Sequence, residues 1–158
     1  MKIRNYILLF VCPINAFSQS YTAKTLVDNL ILPEEIGKDW RVVNPEKWPT
    51  GTNSHIVAMY ELKDPDGKND SVIADIFIFQ SPEQAGAMLE MRRKQIAAGA
   101  GMILEELPEV GKGAFASIHE SEKQLGRRTT FCCRNAVITL SPSKHSIDIS
   151  KLFSEKLK

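Results

Sequence analysis

Two strand-like segments, a turn-rich connection and a sharply bounded helix constrain the fold of this chain most. Residues 54–62 and 71–79 are rich in β-branched and aromatic side chains, and residues 63–70 between them are dense in Asp, Pro, Gly and Asn. This pattern predicts an antiparallel hairpin. Apolar residues fall on both sides of the second strand, so we expect both faces of the sheet to be covered.

The helix that follows the hairpin has a clear N-terminal signal. Ser81 is placed to accept a hydrogen bond from the N3 amide, Pro82 suits the first helical position, and Gln84 completes a capping box. The glycines at positions 99 and 101 end the pattern. Four apolar residues at helical spacing form the stripe that packs on the sheet: Ala85, Met88, Leu89 and Ile96.

The rest of the chain adds shorter elements. We expect further strands at residues 39–43, 102–107, 114–119, 128–133 and 136–140, a lead-in helix within residues 23–32 that Pro33 stops, and loops at 44–53 and 120–126. In the turn Arg134-Asn135, Asn135 is expected to take a positive φ. Residues 148–158 are amphipathic and predict a C-terminal helix. The fold class is therefore α+β: a mostly antiparallel sheet of five or six strands, packed with a central helix and a C-terminal helix.

An apolar stretch near the start of the chain predicts export. Residues 6–17 follow the cationic Lys2 and Arg4 and lead to the small Ser18, which is typical of a secretory signal peptide over residues 1–18. The expected organisation is that leader, a lead-in at 19–38 and a single α+β domain at 39–158, in a secreted or periplasmic protein. The stretch is shorter than the ~20 apolar residues that span a bilayer, so we expect no integral membrane span.

A lipid anchor at Cys12 is an alternative fate for the leader. Leu9 lies three residues before this cysteine, as in bacterial lipid-attachment boxes, but Val11 stands where those boxes have Gly or Ala. Without the leader the chain carries 18 basic and 19 acidic side chains. That balance offers no electrostatic case for nucleic acid, which requires a clustered basic surface, so we expect no nucleic-acid partner.

The two cysteines after the leader, Cys132 and Cys133, are adjacent. Their Cα atoms would lie ~3.8 Å apart, closer than the ~4.4–6.8 Å of most disulfides. On a strand their side chains point to opposite faces. The sequence therefore predicts one core thiol and one partly exposed thiol. The alternative is a thiol-based redox or hydrolytic enzyme that uses Cys132 and Cys133.

Other chemical motifs are incomplete. The loop at residues 64–70 has the carboxylates that calcium prefers, but it places Lys68 among them, and its composition is that of a hairpin turn. His55, His119 and His145 are scattered, without metal spacing, and Gly111-Lys112-Gly113 lacks the rest of a phosphate loop. The clusters Arg92-Arg93-Lys94 and Arg127-Arg128 sit near acids and are typical of a solvated face. We assign no catalytic, cofactor-binding or metal-binding residue and no cofactor.

The two tryptophans, Trp40 and Trp48, bracket a short strand and a loop. Tryptophan is favoured at interfaces, so both are candidates for lining a groove between the sheet and the lead-in. The other interpretation is that they pack at the edge of the core.

The order of motifs resembles a known architecture. The motifs follow one another in this order: a strand, the helix start Ser81-Pro82-Glu83-Gln84-Ala85, the turn Val110-Gly111-Lys112-Gly113-Ala114-Phe115, a hairpin at Arg134-Asn135, and Ile149-Ser150-Lys151-Leu152. This layout, from about Leu32 onward, is similar to small exported bacterial domains of PsbP-like architecture, although Lys112 stands where an acid is common. The resemblance implies an α/β/α sandwich used for binding. We therefore predict a non-enzymatic binding or interaction domain, with an envelope protein or a small apolar ligand as its partner.

Overall fold

The computed structural model describes residues 20–63 and 70–158. The predicted leader, with Cys12, and most of the candidate calcium loop, residues 64–69, lie outside the described residues. The strands are β1 (Trp40–Val42), β2 (Thr50–Gly51), β3 (His55–Leu62), β4 (Asp70–Ile78), β5 (Met102–Glu106), β6 (Phe115–His119), β7 (Arg127–Cys133) and β8 (Ala136–Ser143). The helices are α1 (Ala23–Val27), α2 (Pro33–Ile36), α3 (Pro82–Ala97) and α4 (Ser146–Lys156), with short 3₁₀ segments at Pro45–Lys47 and Glu120–Leu125.

The strands form one antiparallel sheet in the order β1-β3-β4-β8-β7-β6-β5, with β2 beside β1 on the same edge of β3. The α+β class and the antiparallel sheet agree with the sequence prediction. The count of five or six strands was wrong, since the described residues contain eight. Seven of these strands coincide with segments that the sequence analysis marked as strands, so the count fell short of its own segments, and the eighth is Thr50–Gly51, which lies in a stretch expected to be a loop. A strand of only two residues is too short to show the alternation of apolar and polar side chains by which a sequence predicts a strand.

The predicted hairpin is confirmed by the β3–β4 register, in which Tyr60 faces Val72 and Leu62 faces Asp70. Helix α3 begins as expected, because the Ser81 hydroxyl accepts from the Gln84 amide at 3.3 Å. The second half of the capping box is displaced by one residue. The Gln84 side chain accepts from the backbone N–H of Gln80, 3.2 Å away, instead of that of Ser81.

The two longest helices cover opposite faces of the sheet. Neighbouring residues of a strand point to opposite sides. In β8, Ile138 belongs to the main core together with Phe153 of α4, whereas the next residue, Thr139, receives a 2.8 Å hydrogen bond from Arg92 of α3. Helix α3 buries Ala85 and Leu89, and Met88 and Ile96 of its predicted stripe are half-buried.

The lead-in contributes directly to the main core. Leu26, Leu30 and Ile31 are almost completely buried there. Helix α1 ends at Val27, shorter than the predicted helix, and Pro33 does not stop a helix but begins α2 at its first position. Proline suits that position because its missing N–H is one that a helix start leaves unpaired in any case.

Two further details differ from the sequence prediction. In the β7–β8 turn the positive φ belongs to Arg134, at 51°, and not to Asn135. The Asn135 side chain instead bonds to the backbone of Tyr21 and Phe79. The polar segment expected as a loop is largely 3₁₀ helix, Glu120–Leu125, because local i→i+3 bonds satisfy its backbone.

Candidate functional site

A groove of about 670 Å³ lies at the free edge of β1. Arg41 and Val42 both line it, although neighbouring strand residues point to opposite faces, so the groove follows the edge of the sheet. The lead-in forms the opposing wall. The apolar lining is supplied by Leu32, Pro33, Trp40, Val42, Val43, Pro45 and Trp48.

Both tryptophans line this groove and also pack on the core, so the two interpretations of the sequence describe the same place. Trp48 meets Tyr60 edge to face, with ring centroids 6.1 Å apart. Trp40 meets His145, which precedes α4, with ring centroids 5.5 Å apart. These ring contacts orient the Trp40 indole, which lies on β1, and the Trp48 indole, which lies in the loop after the Pro45–Lys47 segment.

The Trp48 indole also carries an unsatisfied donor. Its Nε1 is buried, and it has no hydrogen-bond partner within the described part of the chain. An unpaired buried donor costs about 1–3 kcal/mol.

Charged groups are confined to the groove's rim. Arg41 Nε donates to Glu61 Oε2 at 2.8 Å, whereas Glu34 has no ion pair with any described residue. Behind the rim, Glu35 accepts from the Leu32 amide at 2.6 Å and from Lys156 of α4 at 2.5 Å. The hydrogen bond from Lys156, followed by that from Leu32, lowers the pKa of Glu35. These bonds tie the lead-in wall to α4.

The adjacent cysteines lie on opposite faces, as the strand geometry predicts. Cys133 is buried in the main core and Cys132 is half-buried. Burial raises the pKa of the Cys132 thiol and raises that of Cys133 to about 12. Reactive cysteines have lowered pKa values because the thiolate is the nucleophile. Both shifts therefore work against thiolate chemistry at neutral pH.

The structure keeps the three histidines apart. The His55 ring is paired with Asp75 and His119 with Ser121, and His145 lies 3.9 Å from Asp70. Among residues 20–63 and 70–158, no group of three or more His, Cys, Asp or Glu side chains is arranged to hold a metal ion.

One arginine of each basic cluster pairs with an acid. Arg93 of α3 pairs with Glu106, and Arg127 Nε lies 2.9 Å from Glu105 Oε2. Arg92 differs from the predicted solvated face, because it lies over the Phe77 ring and donates to Thr139 of the sheet.

A second cavity, of about 420 Å³, was not predicted from the sequence. It lies at the far end of the sheet, with Ile103, Ala116 and Ile118 as its apolar lining and Lys123 and Arg127 at its margin. Ile103 is 39% exposed. The sequence signal was weak, because Ile103 and Ile118 resemble ordinary inward-facing strand residues.

Comparisons with known protein families, with curated proteins and with solved structures give no match to this chain. Within the described residues, every helix is too short or too polar to cross a bilayer.

Proposed function

We propose that this chain is an exported, non-enzymatic binding domain that holds an apolar ligand, or an apolar segment of an envelope protein, in the groove beside β1. The observation that carries the proposal is the placement of both tryptophans, Trp40 and Trp48, on a groove of about 670 Å³ at the sheet edge. Ligand sites are concave, largely apolar, and ~300–1,000 Å³ in volume.

The exposure of the groove's wall also supports binding. Leu32 is 49% exposed although it stands between the buried Ile31 and Pro33. The hydrophobic effect favours covering such a side chain, by about 25 cal/mol per Å² of apolar area removed from water. A partner that fills the groove therefore gains free energy without rearrangement of the core.

Export and a PsbP-like α/β/α sandwich belong to the same proposal. The leader pattern over residues 1–18 supports export, and the helices on both faces of an antiparallel sheet support the sandwich. The thiol-enzyme alternative gains no support, because burial raises the pKa of both cysteines.

Binding of the neutral apolar dye N-phenyl-1-naphthylamine tests this function. The two tryptophans of the chain both lie in the groove, so we expect the dye to quench their emission and to fluoresce when they are excited. Leu32→Ser should weaken dye binding severalfold, because it removes apolar area from the groove. Serine suits the N-cap position that Leu32 occupies, so the fold should persist.

Leu125→Ser is the matched control, because Leu125 is 52% exposed but lies elsewhere. It should leave dye binding unchanged. Equal loss in both variants, or loss in Leu125→Ser alone, would contradict the proposed site.

A further inference from the structure

The edge strand β1 presents unpaired backbone groups at the groove. In an antiparallel ladder, residues alternate between facing the neighbouring strand and facing away from it. The Val43 N–H donates to the Met59 carbonyl and the Lys63 N–H to the Asp39 carbonyl, both at 3.0 Å. Positions 39, 41 and 43 therefore face β3, and positions 40 and 42 face the edge.

The outward groups at this edge are those of Trp40 and Val42. The Trp40 N–H is used by a 3.1 Å hydrogen bond to the Gly37 carbonyl. The N–H of Val42 has no hydrogen-bond partner in the part of the chain that the structure describes, and neither does its carbonyl. The edge thus offers one donor and one acceptor on a residue that also lines the groove.

We infer that the occupant of the groove is an extended peptide segment that pairs with β1 as an added strand. This inference rests on the proposed function and deepens it by naming the class of partner. A small apolar molecule lying in the groove would cover the Val42 N–H and carbonyl without bonding them, which costs free energy. An extended peptide bonds both groups, and its alternate side chains reach the apolar lining.

Charge at the rim indicates the composition of the segment. Arg41 and Glu61 neutralise each other, which leaves the carboxylate of Glu34 as the net charge of the lining. A segment with alternating β-branched residues and a flanking lysine or arginine complements this edge. Because Glu34 is exposed, its contribution falls mainly on the association rate and its salt dependence.

Val42→Pro is the direct test. Proline removes the outward N–H and is tolerated where that group faces away from the ladder. The probe is the peptide acetyl-Lys-Val-Thr-Val-Thr-Val-Lys-amide, with affinity measured by tryptophan emission. We expect Val42→Pro to weaken peptide binding at least about tenfold and dye binding by less than about threefold, because the dye does not use the N–H. Val42→Thr keeps the N–H and the branched shape but changes the lining, so it measures the side-chain contribution alone and should weaken peptide binding by less than about threefold.

Two N-methylated probes on the unaltered chain keep the test independent of how Val42→Pro folds. Methylation of the three valine amides blocks one edge of the peptide, and methylation of the two threonine amides blocks the other. Strand addition predicts that one probe loses at least about tenfold in affinity and the other changes less than about threefold.

The outcomes separate the two proposals. Dye binding without peptide binding, or equal affinity of both methylated probes and the parent peptide, overturns strand addition and leaves the groove as a small-ligand site. If the unaltered chain binds neither the dye nor the peptide, the proposed function is overturned as well.

Discussion

Asn135 and Tyr21, which lie 114 residues apart in the chain, are joined by two hydrogen bonds through one side-chain amide. The Asn135 Oδ1 accepts from the Tyr21 N–H at 2.5 Å, and its Nδ2 donates to the Tyr21 carbonyl at 2.9 Å. The same Nδ2 also donates to the Phe79 carbonyl at 2.7 Å. A single buried amide therefore pairs the lead-in as a neighbouring strand would, and holds it against the end of β4.

Asn135→Ala should lower the free energy of unfolding by about 3 kcal/mol, because it removes the partner of two buried backbone groups of Tyr21 and of the partly buried Phe79 carbonyl. Urea denaturation followed by circular dichroism measures this. Asn29→Ala is the control, since that amide donates to the Thr25 carbonyl at an exposed site, and it should cost less than about 1 kcal/mol. Equal effects of the two substitutions would show that the Asn135 bonds do not stabilise the fold.

Cys133 should resist alkylation in the folded protein. Its pKa of about 12 leaves almost no thiolate at pH 8, and reactivity should rise with pH because only the thiolate attacks. After brief treatment with iodoacetamide, the tryptic peptide of residues 129–134 should carry at most one adduct, on Cys132. The same treatment in denaturant should give two. Two adducts on the folded chain at pH 8 would contradict the buried position of Cys133.

Stability should fall in alkaline solution. Burial raises the pKa of Tyr60, whose hydroxyl donates to the Ile31 carbonyl at 2.9 Å, and the Glu35 charge adds to this shift. The stabilisation from the neutral phenol is fully present below pH ~10, the ordinary tyrosine pKa, and is lost as pH rises toward the higher folded value.

Denaturant midpoints from pH 8 to 11 test this linkage. The parent chain should lose stability steeply above pH ~10, and Tyr60→Phe should flatten that loss at the cost of about 1 kcal/mol at pH 8. Some slope should remain, because burial also raises the pKa of Tyr21 and Cys133. An unchanged alkaline slope in Tyr60→Phe would exclude Tyr60 as the responsible group.

Gly126→Ala should destabilise the fold by more than about 2 kcal/mol. Gly126 has a φ of 88°, and a Cβ there would lie 2.2 Å from the backbone carbon of Ser143. Gly86 in α3 is the matched control, because a Cβ there meets no atom within 4 Å. Gly86→Ala should raise stability by about 0.5–1 kcal/mol, through the better helix propensity of alanine. Thermal unfolding of the two variants gives shifts of opposite sign if this is correct.

The elements that the sequence predicted best depend on nearby residues. The Ser81 cap and Pro82 act within one helical turn, and the β3–β4 hairpin joins strands that are close in the chain. The split of Cys132 and Cys133 between two environments follows from strand pleating alone. In each case the interacting residues belong to one segment or to two consecutive segments of the chain, so a local pattern is enough.

The features that the sequence did not predict depend on distant residues. Asn135 has the composition signal of a turn, yet its role is set by Tyr21 and Phe79, which no local pattern connects to it. The groove likewise needs the lead-in at Leu32 and Pro33 to lie opposite Trp40. The tryptophans suggested a groove at this place as one of two interpretations, and the edge-strand character of the groove emerges only from the register of β1 on β3.

The hydrogen-bond partners of the lead-in also limit the stage of synthesis at which the chain can finish folding. Tyr21 bonds to Asn135, and its hydroxyl donates to the carbonyl of Leu157, 136 residues later. Ribosomal synthesis therefore makes the lead-in well before its anchors, and contacts of such large sequence separation form slowly. The lead-in can dock only after α4 has been synthesised, and this delay is compatible with the proposed export, because an exported chain crosses a translocation pore before it folds.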